Sequence, residues 1–220
     1  MQNKIDMVIA TKNIGKQNEF CKILKDFPVN IKTLNDFGPI PDVNEDGKTF
    51  DENAYIKSSF TARILGLPVI ADDSGLVVDA LNGAPGVYSA RYGVKTYTDE
   101  QRCALLLKEM EGKTNRKAAF KCVISIAVPT GAALTYENSC EGLITERLTG
   151  INGFGYDPVF YYQPLKKTFA ELTTKEKNLI SHRGKALCEI KNEFDKVLKW
   201  IHQNMPVDEK FQCNKDNKND

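Results

Sequence analysis

Four polar clusters in this sequence bring together side chains able to act on an anion. The first, Thr11-Lys12-Asn13-Ile14-Gly15-Lys16, falls between an apolar run and a helical pattern. Unpaired backbone N–H groups at a helix start carry partial positive charge and suit phosphate. Gly15 permits close approach and Lys16 adds a full charge. The segment is not a Walker loop, because G-x-x-x-x-G-K-[ST] is absent, and an ordinary strand-to-helix turn has a similar composition. The second cluster, Asp72-Asp73-Ser74-Gly75, directly follows an apolar run. Adjacent carboxylates repel each other unless a cation or protons compensate. Hard oxygen donors suit Mg²⁺, which binds through one or two carboxylates plus substrate phosphates. Glu45, in Asn44-Glu45-Asp46-Gly47, is a further candidate ligand, and an Asp that only caps a turn is the plain alternative.

The third cluster is a helix starting at Phe50, where Asn53 and Lys57 lie four apart and share a face. Such a Lys reaches a phosphate or orients a water, or is simply solvated. The fourth comprises Gly153-Phe154-Gly155-Tyr156-Asp157-Pro158, then Lys177, then Ser181-His182-Arg183-Gly184. Phe154 between glycines has little local cover and suits stacking on a base. A lone histidine is more often structural, but Arg183 beside His182 makes a pair of donors able to read a carbonyl edge.

The elements that must position these residues follow from hydrophobic period and punctuation. Met7-Val8-Ile9-Ala10 predicts a buried strand, and Phe20, Ile23, Leu24 and Phe27 predict the helix after it. Val29 to Thr33 reads as a second strand, and the Gly- and Pro-bearing stretch from Asn35 to Lys48 as a loop. Thr49 with Glu52 forms a capping box for a helix that Gly66 should stop. Pro68 to Ala71 predicts a short strand ending at the Asp pair. Thr98 with Gln101 caps a helix carrying Leu105, Leu106 and Met110. Residues 119–128 and 133–143 read as strands joined at Pro129-Thr130-Gly131. A glycine-rich loop, 150–158, precedes a strand at 159–162. Thr173 with Glu176 opens a short helix, and Ser181 caps a long one through Trp200. Strands alternating with helices predict an α/β fold with a mixed sheet. The chain reads as one domain over 1–202 and a polar, disordered tail over 203–220.

Composition narrows the function. The 220 residues, 41% apolar, can bury a substantial core. Lys plus Arg number 30 against 29 Asp plus Glu, a formal charge of +1, which argues against a polyanion-coating or membrane-surface protein. No run approaches the roughly 18 apolar residues of a membrane helix, and residues 1–6 lack a signal-peptide core. Six dispersed cysteines, with no C-x-x-C pair, suit free thiols in a reducing, cytoplasmic compartment.

Together the clusters resemble the inosine/xanthosine triphosphate pyrophosphatase family. The matching pieces are Ala10 to Lys16, Thr49 to Ala54 with Lys57, Ala71 to Leu76, Gly83 to Tyr92, Gly153 to Pro158 and Ser181 to Gly184, in the family's order. The resemblance implies an elongated, two-lobed α/β fold with the site in the cleft between lobes, and usually a homodimer. It implies hydrolysis of ITP, dITP and XTP to the monophosphate and pyrophosphate with Mg²⁺, or alternatively Mn²⁺. By position, Thr11, Lys12, Asn13, Ile14, Gly15, Lys16, Lys57 and Lys177 would hold phosphates. Glu45 and Asp73 would serve the metal, with Asp73 also the general base and Asp72 supporting or joining them. Ser74, Phe154, Gly155, Tyr156, Asp157, His182 and Arg183 would hold the nucleoside. Lys12 stands where many members have Gly, which adds a charge near the phosphates.

In this reading Lys16, Lys57, Lys177, a helix start and Mg²⁺ balance the triphosphate, and Asp73 activates water for attack at the α-phosphorus. Donors from His182 or Arg183 would accept a six-oxo purine and mismatch adenine, whereas rejection of guanine must involve the two-position. The competing readings are a house-cleaning pyrophosphatase for other modified nucleotides, a nucleotide-binding regulator without catalysis, and a structural protein whose Asp and Gly are turns.

Overall fold

The structure, a computed structural model, describes residues 4–25, 27–94 and 96–206. Cys213 and the stretch 207–220, most of the expected tail, lie outside the described residues. Seven strands form one mixed sheet: β1 (Ile5–Ile9), β2 (Val29–Thr33), β3 (Val69–Val78), β4 (Lys117–Ala127), β5 (Ala133–Ile144), β6 (Phe160–Tyr162) and β7 (Lys167–Thr168). Their order is β2-β1-β3-β4-β5-β6-β7, with β1 parallel to β2 and β3 and every later pair antiparallel. Six α-helices complete the fold: α1 (Ile14–Leu24), α2 (Phe50–Leu65), α3 (Asp99–Glu109), α4 (Thr174–Ile180), α5 (His182–Asn192) and α6 (Phe194–Asn204).

The local signals work as chemistry dictates. Thr49, Thr98 and Thr173 each accept from the N–H three residues on, and Glu52, Gln101 and Glu176 return the bond. Gly66 closes α2 in the left-handed region at φ 67. Three expectations need correction. Helix α1 stops at Leu24 instead of running through Phe27, because Pro28 disfavours helical geometry in the residue before it. Phe27 still reaches the core by stacking on Phe194, with ring centroids 4.1 Å apart. The expected long C-terminal helix is two, broken at Glu193 (φ −108, ψ 12), and the second continues through Gln203 and Asn204, past the expected boundary of the tail. Strand β3 does not end at Ala71: it carries the Asp pair inside it, fully paired with β4 through Val78.

Side chains alternate along β3, and the apolar clusters follow that alternation. On one face Ile70 joins a core under α1, α5 and α6, while Leu76 and Val78 join a second core with α3, Phe120 and Phe160. Asp72 and Ser74 occupy the seam between these two cores. On the other face Val69 and Ala71 pack beneath Ala62 of α2. Helices α4 and α5 approach so closely at Gly184 that a Cβ there would collide with the Asn178 carbonyl. Both contacting groups are backbone and cannot rotate away. Gly184→Ala is therefore expected to cost about 2 kcal/mol, lowering the melting temperature by roughly 4–8 °C. Calorimetric melting of both proteins checks this, and an unchanged midpoint would refute the packing argument.

Candidate active site

Strand β1 pairs with β3 only at Val8–Val69 and Ile9–Ile70 before turning into α1, while β3 runs eight residues further. The departure opens a crevice beyond the carboxyl end of β1, the location where open α/β sheets hold ligands. A cleft of about 1210 Å³ fills it. Every residue given a phosphate, metal, catalytic or nucleoside role by the resemblance lines this cleft except Gly15.

Gly15 has a packing task that its sequence did not suggest. A Cβ there would stand 2.6 Å from the Phe154 ring, so its bareness admits an aromatic side chain to the start of α1. Asn13 caps that helix by accepting from the Lys16 N–H at 3.0 Å, and Thr11 Oγ1 accepts from the Asn13 N–H. Ile14 is exposed, and Lys12 pairs with Asp42 across the mouth of the cleft.

On the seam face, Asp72 Oδ2 receives Lys16 Nζ at 3.0 Å, Arg183 Nη2 at 2.9 Å and the Ser74 hydroxyl at 3.0 Å. Arg183 also pairs with Glu19, which Lys177 meets at 3.1 Å, and Lys177 meets Asp157 at 2.7 Å. Burial alone would raise the Asp72 carboxyl, yet Lys16 and Arg183 hold it well below the usual carboxylate range. Asp72 Oδ1 is buried without a hydrogen-bond partner among the described residues.

On the opposite face, Asp73 Oδ1 accepts from Lys57 Nζ at 2.8 Å and Oδ2 accepts from Asn53 Nδ2 at 3.3 Å. Lys57 also reaches Glu45 Oε2 at 3.0 Å, so two carboxylates converge on one ammonium. Asn53, fully buried, uses its other amide atom to accept from the Gly47 N–H, which fixes the loop carrying Glu45. Burial pushes the Asp73 carboxyl up despite Lys57. The adjacent aspartates thus do not share one environment: sheet alternation sends them to opposite faces, each with its own cations. Asp72 Oδ2 is taken up by Lys16, Arg183 and Ser74, whereas Glu45 and Asp73 share Lys57.

The 153–158 segment closes the cleft. Asp157 accepts from the Phe154 N–H at 2.9 Å and holds Lys177, whose Nζ lies 4.5 Å from the Phe154 ring centroid. Gly155 N–H donates to Asp99 Oδ2 at 2.7 Å, and the Tyr156 hydroxyl donates to the Ser89 carbonyl at 3.0 Å. His182 stacks on Phe120 with centroids 4.8 Å apart, and its Nδ1 is buried without a partner among the described residues. Burial, with Arg183 adding to it, drives the His182 pKa well below its ordinary value, so the imidazole is neutral.

Sequence reasoning missed Glu19, Arg91, Asp99, Arg102 and Phe120. Glu19 had a signal: it sits three residues after Lys16 and beside Phe20 on the buried face of α1, where an unpaired carboxylate is untenable. Arg91, which donates to the Glu45 carbonyl at 3.3 Å, had none beyond its place in a motif.

Cations interleaved with the Phe154 ring and two converging carboxylates in one cleft define an α/β protein shaped for a nucleotide-like polyanion. The Ham1 family profile matches residues 7–193. The dITP/XTP pyrophosphatase of Desulfotalea psychrophila is 58% identical over 199 residues, 90% of this chain and 89% of that one. That of Syntrophobacter fumaroxidans is 57% identical over 89% of this chain and 84% of its own. Among solved structures, a HAM1 protein from Coxiella burnetii matches with a TM-score of 0.81 and 41% identity, covering 87% of this chain and 99% of that one. The Staphylococcus aureus Ham1 protein matches at 0.79 and 42%, with the same coverage. The chain belongs to the Ham1 family.

Glu19 offers a direct test of the buried charges. Replacing it by Gln leaves Arg183 and Lys177 each short of one anion, and breaking a buried pair costs roughly 3 kcal/mol. Arg183 and Lys177 outweigh burial and hold the Glu19 carboxyl below its ordinary 4.5. A depressed folded pKa supplies stability above the unfolded value and loses it as pH falls through the folded one. The deficit of Glu19→Gln in denaturant unfolding should therefore be full near neutrality and shrink below about pH 4.5. A deficit independent of pH would show that the charge contributes nothing.

Proposed function

We propose that this chain hydrolyses the non-standard purine nucleoside triphosphates ITP, dITP and XTP to the monophosphate and pyrophosphate, with a divalent metal ion. The observation that carries the proposal is the convergence of Glu45 and Asp73 on Lys57, facing the same cleft as Lys16 and the Phe154–Asp157 segment. Relatives matched along nearly their whole length carry the name dITP/XTP pyrophosphatase, which agrees with that cleft. Against a regulator without catalysis stands Asp73, a buried carboxylate that nucleotide binding alone does not require.

The charges argue for a metal. Among the described residues, seven Lys and Arg side chains and six carboxylates line the cleft, and Lys16, Lys57, Lys177 and Arg183 are each already paired with an anion. That balance cannot offset a triphosphate, so the lysines named from sequence do not suffice without further positive charge. Glu45 and Asp73 offer the hard oxygen donors that Mg²⁺ takes from one or two carboxylates, the remainder coming from phosphates and water. When bound there, the ion would screen the phosphate oxygens and stabilise the departing pyrophosphate.

The chain's own residues do the rest. The N-terminus of α1 with Lys16 holds phosphate oxygens. Lys57 and Asn53 fix both oxygens of Asp73, which orients a water and takes its proton. Burial raises the affinity of this carboxylate for a proton, as a base working near neutrality needs. The water oxygen bonds the α-phosphorus as the bridging bond to the β-phosphate breaks. The neutral His182 ring and the Phe154 segment frame the base, and a donor facing the six-position favours an oxo group over adenine's amino group.

Asp73→Asn keeps the shape and removes the base, so kcat for ITP should fall by roughly 10² to 10⁴. Pyrophosphate release measured with Mg²⁺ checks it, and near-normal turnover would remove Asp73 from the mechanism. In the wild-type protein, chelation should abolish release from ITP and XTP. Turnover of ATP should be at least about 100-fold poorer in kcat/KM, and equal rates on ATP would sink the carbonyl-reading role.

A further inference from the structure

We propose that Arg102 of α3 reads the two-position of the bound purine and thereby excludes guanine, an inference that rests on the substrate class proposed above. A donor at the six-position cannot make this distinction, because guanine, hypoxanthine and xanthine share the six-oxo group. They differ at carbon two, where guanine carries an amino donor, hypoxanthine a hydrogen and xanthine an oxygen acceptor.

Arg102 lines the cleft, and its side chain is only 12% exposed. Its sole acceptor among the described residues is Asp99 Oδ1, at a long 3.3 Å, and its buried Nε–H has none. The two other buried or half-buried arginines described above or nearby are saturated. Arg183 donates to Asp72, Glu19 and Ser74, and Arg116 donates to the carbonyls of Ile144, Met110 and Thr145. A guanidinium carries five donors and no acceptor, and leaving such donors unmet away from water is costly. Among the described residues Arg102 is thus the buried or half-buried arginine of the cleft wall with donors to spare.

Its position points to the base and not to the phosphates. The start of α3 grips the backbone after Phe154 on both sides: Asp99 Oδ2 accepts from the Gly155 N–H, and Cys103 Sγ donates to the Gly155 carbonyl at 3.4 Å. Arg102 stands between these two residues in sequence, on the turn of α3 that holds the loop carrying Phe154. A donor-only group there meets an acceptor in xanthine, nothing in hypoxanthine and an opposing donor in guanine. Guanine's amino group would also be desolvated without a partner, a loss that distinguishes it from both accepted bases.

The test uses IMP, XMP and GMP, bound to the full-length protein and followed by titration calorimetry, so that no chemical step enters. Wild type should bind in the order XMP, IMP, GMP. Arg102→Ala should raise the GMP-to-IMP affinity ratio and lower the XMP-to-IMP ratio, each about tenfold, with IMP within about threefold of wild type. Arg102→Gln, which keeps most of the packing and offers both a donor and an acceptor, should likewise admit GMP. Wild type binding GMP as tightly as IMP, ratios unmoved in both variants, or all three nucleotides weakened in equal proportion would each overturn the proposal. Equal weakening would mean that Arg102 only holds the loop. Failure of the wild-type protein to release pyrophosphate from ITP would instead strike the underlying function, whatever the binding ratios.

Discussion

One buried chain of alternating charge holds this molecule's working parts together. Lys16, Asp72, Arg183, Glu19, Lys177 and Asp157 succeed one another as cation and anion, and they come from α1, β3, α5, α1, α4 and the 153–158 segment. Each of Asp72, Arg183, Glu19, Lys177 and Asp157 is buried. Charges removed from water are tolerated only when paired and hydrogen-bonded. The network therefore ties five separated segments to one geometry, and moving any one of them would strand a charge on another. Its place is the seam between the two apolar cores, where no hydrophobic contact could fix the elements on its own.

Strand alternation is the second constraint. Because Asp72 and Asp73 are neighbours in a fully paired strand, their side chains must point to opposite faces. One joins the structural network and stays firmly ionised. The other faces α2, where Lys57 and Asn53 present a single ammonium and a single amide donor, and burial raises its carboxyl above the ordinary value. Two identical side chains thereby acquire opposite proton affinities from environment alone.

Much of the fold was legible because short-range chemistry decides it. The boxes at Thr49, Thr98 and Thr173, the stop at Gly66 and the apolar runs of β1 and β2 depend on residues within a turn of one another. The misreadings have long-range causes. The polar run Asp72 to Gly75 looks like a strand end until β4 and the distant cations are in place to satisfy it. Phe27 fits the helical period of α1, yet its ring is used against Phe194, far along the chain. The break at Glu193 lies inside a stretch whose polar and apolar spacing continues on both sides.

The sequence by itself determined which residue types line the cleft, the helix starts that present them and the family to which the pattern belongs. Tertiary structure decided how those residues are shared. It paired Lys177 and Arg183 with carboxylates, set Gly15 against the Phe154 ring, separated the two aspartates, and brought Glu19 and Arg102 beside them. The reason is that capping and periodicity act between neighbours in the chain, whereas the energy of a buried charge depends on every group within a few ångströms, whatever its position in the sequence.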